Sequence, residues 1–187
     1  MALQVQGLET AYDGYLTIYV ATLAGDDGEV VHREIEDHGR AVAVLPYDPE
    51  RRLAILVRLP RAPVIWAGGP SELLEALAGM LEDEPAADCA RREAMEEAGL
   101  KLGELEPAGS AWSSPGVSSE RIDLFLAPYR SADRVAAGGG VAGEQENITV
   151  VETPLADLWA QLEAGEIQDM KTLTLVYALR ARRPELF

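Results

Sequence analysis

Glu93, Glu96 and Glu97 fall within the run Arg91-Arg92-Glu93-Ala94-Met95-Glu96-Glu97-Ala98, which contains neither proline nor glycine. At about 100° per residue in a helix, Glu93 and Glu97 come to lie next to one another, one turn apart, while Glu96 points further toward solvent. Ala87, Ala90, Ala94 and Ala98 form a narrow stripe of small residues that would let such a helix lie close against a sheet. The two glutamates stand at the edge of that stripe. Like charges at i and i+4 cost about 0.2–0.5 kcal/mol even when exposed, and more when partly desolvated. A hard divalent cation would offset that repulsion, and magnesium, which prefers oxygen ligands and keeps several waters, suits two or three carboxylates beside a phosphate. Arg92 is also spaced to pair with Glu96, so spacing alone leaves a solvated acidic face as an equally open reading.

The elements that must position these acids can be read from the surrounding pattern. A helix is expected from Pro85 to Ala98, with Asp83 or Glu84 as cap, proline in the first turn and Gly99 at the C-terminal cap. Segments 15–24 and 29–36 flank Gly25-Asp26-Asp27-Gly28 and predict a hairpin. Runs 41–46 and 53–58 predict two further strands, and 60–70 a loop rich in proline and glycine. Leu73, Leu74, Leu77 and Leu81 suit a helix by spacing, whereas the short length of 72–81 suits a strand. Strands are expected near 103–111, 121–128 and 147–152, and helices near 154–164 and 170–182. The interval 131–146, with Gly138-Gly139-Gly140, predicts a mobile surface loop.

Bulk properties restrict the partners. A chain of 187 residues, about half of them apolar, can bury a sizeable core in one main domain. Its 32 acids against 16 bases give a net charge of −16, which disfavours nucleic-acid polymers and anionic membrane surfaces. The single cysteine, Cys89, allows no intrachain disulfide. With no leader-like start and no apolar run near about 18 residues, a cytoplasmic protein is expected. There is no G-x-S-x-G motif, Cys89 falls inside the expected helix as a small core residue, and His32 and His38 have no evident partner.

The string Arg92-Glu93-Ala94-Met95-Glu96-Glu97-Ala98-Gly99-Leu100 resembles the core of the Nudix box, G-x5-E-x7-R-E-U-x-E-E-x-G-U, where U is bulky and apolar. Glu84 stands correctly, with seven residues between it and Arg92, but only four residues separate Gly79 from Glu84, one short of the pattern. The likeness extends through Tyr15-Leu16-Thr17, Arg33-Glu34, Glu75-Ala76-Leu77-Ala78-Gly79-Met80, Ser114-Pro115-Gly116, Gly138-Gly139-Gly140-Val141 and Gly165-Glu166-Ile167-Gln168-Asp169-Met170-Lys171-Thr172. Within the family these strings are most similar to the branch that cleaves nucleoside diphosphate sugars, where the box also has a shortened form and alanine at the position of Ala94 is familiar.

That resemblance implies an α/β fold, an α/β/α sandwich around a mixed sheet, and makes 72–81 a strand. It implies a Nudix domain over 41–187 preceded by an N-terminal β-hairpin extension, 1–40, that swaps across a homodimer. It further implies magnesium, with manganese as a substitute, held by Glu93, Glu97 and the main-chain carbonyl of Ala78, with Glu96 as an auxiliary acid and Arg92 bracing the box. A glutamate on a late loop would help activate water or join the metal; Glu146 is the first choice and Glu144 the second. Tyr15, Arg33, Glu34, Arg61, Glu120 and Lys171 are expected substrate contacts, some of them supplied in trans. The implied reaction is hydrolysis of a sugar nucleotide, GDP-mannose giving GMP and mannose 1-phosphate, or ADP-ribose giving AMP and ribose 5-phosphate. A non-enzymatic module that binds nucleotide sugars is the rival, since a fold does not fix an activity.

Overall fold

A computed structural model describes residues 2–141 and 147–187. The chain divides into two compact units: Met1–Arg40 with Ala111–Ile122, and Ala41–Ser110 with Asp123–Phe187.

The first unit is built on an antiparallel meander of β1 (Gln4–Asp13), β2 (Thr17–Ala24) and β3 (Val30–Asp37). The expected hairpin is β2–β3, in register from Thr17 opposite Asp37 to Ala24 opposite Val30. Its turn is closed by Gly28 N–H donating to Gly25 O and Gly25 N–H donating to Glu29 O, both at 3.0 Å. β1 is an addition that the sequence pattern does not announce. It pairs with β2 through two register irregularities, at Val5/Gly7 and Thr10/Tyr12, and every residue along it is exposed. With neither face buried, it lacks the apolar alternation by which strands are recognised.

The second unit carries the sheet β10-β5-β4-β9-β8, with β6 on β5 and β7 on β4. These strands are β4 (Arg40–Asp48), β5 (Leu53–Leu59), β6 (Leu73–Glu75), β7 (Leu77–Leu81), β8 (Glu106–Trp112), β9 (Arg121–Pro128) and β10 (Thr149–Pro154). The sheet is mixed, and the segment 72–81 is strand, interrupted at Ala76. β4 and β5 form an antiparallel hairpin that pairs Tyr47 with Ala54 and Asp48 with Leu53. Buried Asp48 fixes its turn by accepting from the N–H groups of Glu50 and Arg51, both at 2.9 Å.

β4 and β5 are apolar at nearly every position, as strands covered on both faces must be. Val42, Val44, Ile55, Val57 and Leu59 share one core with Cys89, Ala90, Ala94 and Ala98 of α2 (Ala86–Ala98). The alternate residues Ala43, Leu45, Ala54 and Leu56 are equally buried and face the other way. There α3 (Leu155–Glu163) buries Leu155, Leu158 and Leu162, and α4 (Met170–Arg182) buries Leu175, Val176 and Leu179. Helices therefore cover both faces. A short helix, α1 (Ala62–Trp66), interrupts the loop expected at 60–70.

Three local expectations are corrected. Neither Asp83 nor Glu84 caps α2: Pro85 occupies the N-cap position without a side-chain bond, because Glu84 is engaged by Arg92. Ala87 is not part of the fully buried stripe; Cys89 takes its place beside Ala90, Ala94 and Ala98. The triglycine is not a free surface segment. Gly139 N–H donates to Glu97 O at 2.7 Å and Gly140 N–H to Glu96 O at 3.1 Å, satisfying carbonyls left open at the end of α2. At Gly138 φ is +75°, and a β-carbon there would lie 2.3 Å from Glu97 O. Glycine here serves close approach rather than mobility.

Candidate active site

α2 presents its acids as the wheel predicts. Glu93 and Glu97 are 9% and 5% exposed, whereas the Glu96 side chain is 32% exposed. The C-terminal cap is Gly99 at φ 65°, whose N–H donates to Met95 O at 3.0 Å. With the stripe residues pressed into the core, the helix has little freedom to rotate, so both buried carboxylates stay at one edge of the packed face.

The run from Glu75 to Met80 lies against these acids. Ala78 N–H donates to Glu97 Oε2 at 3.1 Å. Gly79 leaves the space that Glu93 fills, since a β-carbon there would sit 1.9 Å from Glu93 Oε1. Cys89 Sγ donates to Met80 O at 3.2 Å. Burial pushes that thiol up to about 12, which leaves it a core group and not a nucleophile.

Arg92 gathers the remaining charges. Its guanidinium donates to Glu84 Oε1 at 3.0 Å, Glu93 Oε1 at 2.7 Å, Glu96 Oε2 at 3.0 Å and Met80 O at 3.3 Å. Partial burial alone would lower its proton affinity, but the bond to Glu84 and the charge of Glu93 outweigh that and raise it. One planar fork thus orients three carboxylates, an arrangement that a single ammonium cannot reproduce.

A second cluster begins where the same strand segment starts. Glu75, 2% exposed, accepts two parallel bonds from Arg61, at 2.9 and 3.0 Å, and a third from Lys171. Burial by itself would raise the Glu75 carboxyl; the bonds and charges of Arg61 and Lys171 outweigh it and hold the group below the usual carboxylate range. Lys171 also donates to Asp169 at 3.0 Å. Asp169 is the N-cap of α4, accepting from Thr172 N–H at 2.9 Å. The Thr172 hydroxyl in turn accepts from Ala76 N–H at 2.7 Å. Arg61 and Lys171 therefore converge on one buried acid, and α4 is tied to the strand that carries Ala78.

In the first unit, Tyr15 and Glu120 meet at His38. The rings of Tyr15 and His38 are 6.4 Å apart, and His38 Nε2 is 3.3 Å from Glu120 Oε1. His38 thus has partners that the sequence did not reveal, including Glu36. Arg33 and Glu34 are exposed neighbours on β3 that point to opposite faces of the strand, and Arg33 donates to His32 O at 2.8 Å. Glu144 and Glu146 lie outside the described residues. Glu75, Asp169, Thr172 and His38 were missed as site-forming residues. For Glu75 a signal was present: one acid among Leu73, Leu74, Ala76 and Leu77 must find a cation if that strand is buried.

A NUDIX domain model matches residues 37–174. The chain belongs to the NUDIX family. A GDP-mannose pyrophosphatase of Escherichia coli O1:K1 is 36% identical over 174 residues, covering 90% of each chain. One from Cronobacter sakazakii is 39% identical over 164 residues, covering 86% of this chain and 84% of that protein. Among solved structures, an ADP compounds hydrolase superposes with a TM-score of 0.78 at 20% identity, covering 99% of this chain and 96% of that one. Its likeness is one of fold.

The donor set fits the divalent metal that Nudix hydrolases generally need. It is all oxygen, two nearly buried carboxylates one turn apart beside the backbone of Ala78 and Gly79, with no thiolate or imidazole among them. Among the described residues no three or more His, Cys, Asp or Glu are grouped so as to hold a metal ion by themselves. An open Nudix site that relies on waters and substrate oxygens requires none.

Proposed function

We propose that this Nudix hydrolase cleaves the pyrophosphate bond of a nucleoside diphosphate sugar, with GDP-mannose as first substrate and GMP and mannose 1-phosphate as products. The observation that carries this reading is the Glu93–Glu97 pair, held rigid between a packed helix and the Ala78–Gly79 backbone. The names of relatives 36–39% identical over most of the chain support the choice of substrate. ADP-ribose is the second substrate, supported only by the resemblance of the sequence.

Glu93, Glu97 and the carbonyl of Ala78 would hold magnesium, with manganese as substitute; the ion supplies neutralisation of the pyrophosphate charge and a more acidic water. The chain's own residues do the rest. Arg92 fixes the carboxylates so that no reorganisation is needed during reaction. Glu96, tied to Arg92, is an auxiliary acid. A water oxygen forms a bond to phosphorus as the bridging P–O bond breaks. A loop acid, Glu146 first and Glu144 second, accepts the water's proton. Tyr15, Arg33, Glu34, Arg61, Glu120 and Lys171 are the proposed substrate contacts. Comparison of Glu146→Gln with Glu144→Gln at saturating magnesium checks the order: loss of rate only in the second variant reverses it.

The active form is proposed to be a cytoplasmic homodimer to which the N-terminal sheet contributes. Leu3, Val5, Leu8 and Tyr12 are all more than half exposed on or beside the edge strand β1, a surface that suits pairing with a second copy. Among the described residues no helix is long and apolar enough to cross a membrane. Incubation with magnesium and a panel of sugar nucleotides tests the reaction. Release of GMP with mannose 1-phosphate supports the first substrate, and AMP with ribose 5-phosphate the second. Binding without turnover of any panel member makes the chain a nucleotide-sugar-binding module instead.

A further inference from the structure

The first unit holds a histidine, His38, for which the reaction above gives no role. It follows β3 directly and spans two carboxylates: Nδ1 is 2.6 Å from Glu36 Oε1, and Nε2 is 3.3 Å from Glu120 Oε1. The three side chains are between 19% and 24% exposed, so the contacts are made in a partly desolvated setting where polar pairs count for more than on an open surface.

The backbone on either side of the imidazole is fixed. Glu36 N–H donates to Val117 O at 2.8 Å, and Ser119 N–H donates to Glu36 O at 2.9 Å. The Ser119 hydroxyl donates to Asp37, and Glu120 N–H donates to Ser118 Oγ at 3.1 Å. The two nitrogens of an imidazole lie at separate edges of one rigid ring, and each donates to a carboxylate when it carries a proton, so one ring with both protons bridges two carboxylates that would otherwise repel. The Tyr15 ring lies across it at 30° and is itself 87% exposed. His38 engages Oε1 of Glu120.

We propose that His38 is a positioning residue, fixing Glu120 in the orientation in which it receives a nucleoside diphosphate sugar. This rests on the reading that Glu120 contacts substrate. A carboxylate already ordered in the free protein loses less rotamer freedom when the ligand arrives, so removal of His38 should weaken binding and leave chemistry alone.

The test is KM and kcat with GDP-mannose for wild type, Glu120→Ala, His38→Ala and the double variant. Glu120→Ala is expected to raise KM about tenfold and His38→Ala about fivefold, with kcat within about twofold, the range that ordering of one side chain supplies. In the Glu120→Ala background, His38→Ala should add less than about twofold, because the group it positions is gone. A full fivefold effect in that background overturns the proposal. An unchanged KM for Glu120→Ala removes the contact itself, and with it the proposal; that arm is read separately from the two His38 arms. If His38→Ala fails to fold, His38→Gln, which cannot bridge both carboxylates, carries the same comparison.

Discussion

Glu93 occupies the space where residue 79 would carry a side chain: a β-carbon on Gly79 would sit 1.9 Å from Glu93 Oε1. The glycine of strand β7 and the acid of helix α2 are thus one structural unit. The atom that Gly79 displaces is the far end of a flexible side chain, so an added methyl would push the carboxylate aside at little cost to the fold.

Gly79→Ala is therefore expected to separate stability from activity. Thermal unfolding should change by no more than about 1–3 kcal/mol, the usual cost of one inserted methyl. Metal-dependent turnover should fall by about 10²-fold, comparable with Glu93→Gln, because a ligand moved by an ångström no longer holds its place. Turnover close to wild type would mean that the position of Glu93 is not critical.

Arg92→Lys keeps the charge and loses the fork. One ammonium cannot serve Glu84, Glu93 and Glu96 together, so the carboxylates lose their common orientation. Magnesium titration of activity should show an apparent affinity weaker by about 10- to 100-fold, the scale for groups that orient metal ligands. An unchanged magnesium dependence would reduce Arg92 to a surface pair.

Glu75→Gln tests the second cluster by pH. The Glu75 carboxyl is held below its ordinary value of 4.5, so its ion pairs stabilise the fold fully above that pH and lose their effect as pH falls through the depressed folded value. Removing the charge leaves Lys171 and Arg61 without their shared partner and should cost about 3 kcal/mol at pH 7, or about 6–12 °C in melting temperature for a domain of this size. The difference between variant and wild type should shrink on going from pH 6 to pH 3. A gap constant over that range would show that shape, not charge, is what Glu75 contributes.

What could be read from the sequence follows from the range of the interaction. The α2 wheel placed Glu93, Glu96 and Glu97 correctly because burial of Ala90, Ala94 and Ala98 is a local pattern. β4 and β5 announced themselves as apolar runs for the same reason. β1 did not, because a strand exposed on both sides has no hydrophobic period. The bond from Ala76 N–H to Thr172 joins residues 96 positions apart, and local spacing holds no trace of it. Gly138 was read as part of a mobile loop because composition does not distinguish flexibility from a positive φ needed for close approach. His38 looked partnerless because Glu120 reaches it only through the fold.

The most direct test of the central claim is phosphorus NMR of GDP-mannose turnover by wild type and Glu97→Gln, with and without magnesium. Glutamine can still accept the Ala78 N–H, so this variant should stay folded. Wild type with magnesium should replace the two coupled pyrophosphate signals with those of GMP and mannose 1-phosphate; Glu97→Gln, or wild type without metal, should leave them intact. Near-normal turnover by Glu97→Gln, or release of GDP or inorganic phosphate as the first product, would contradict the account.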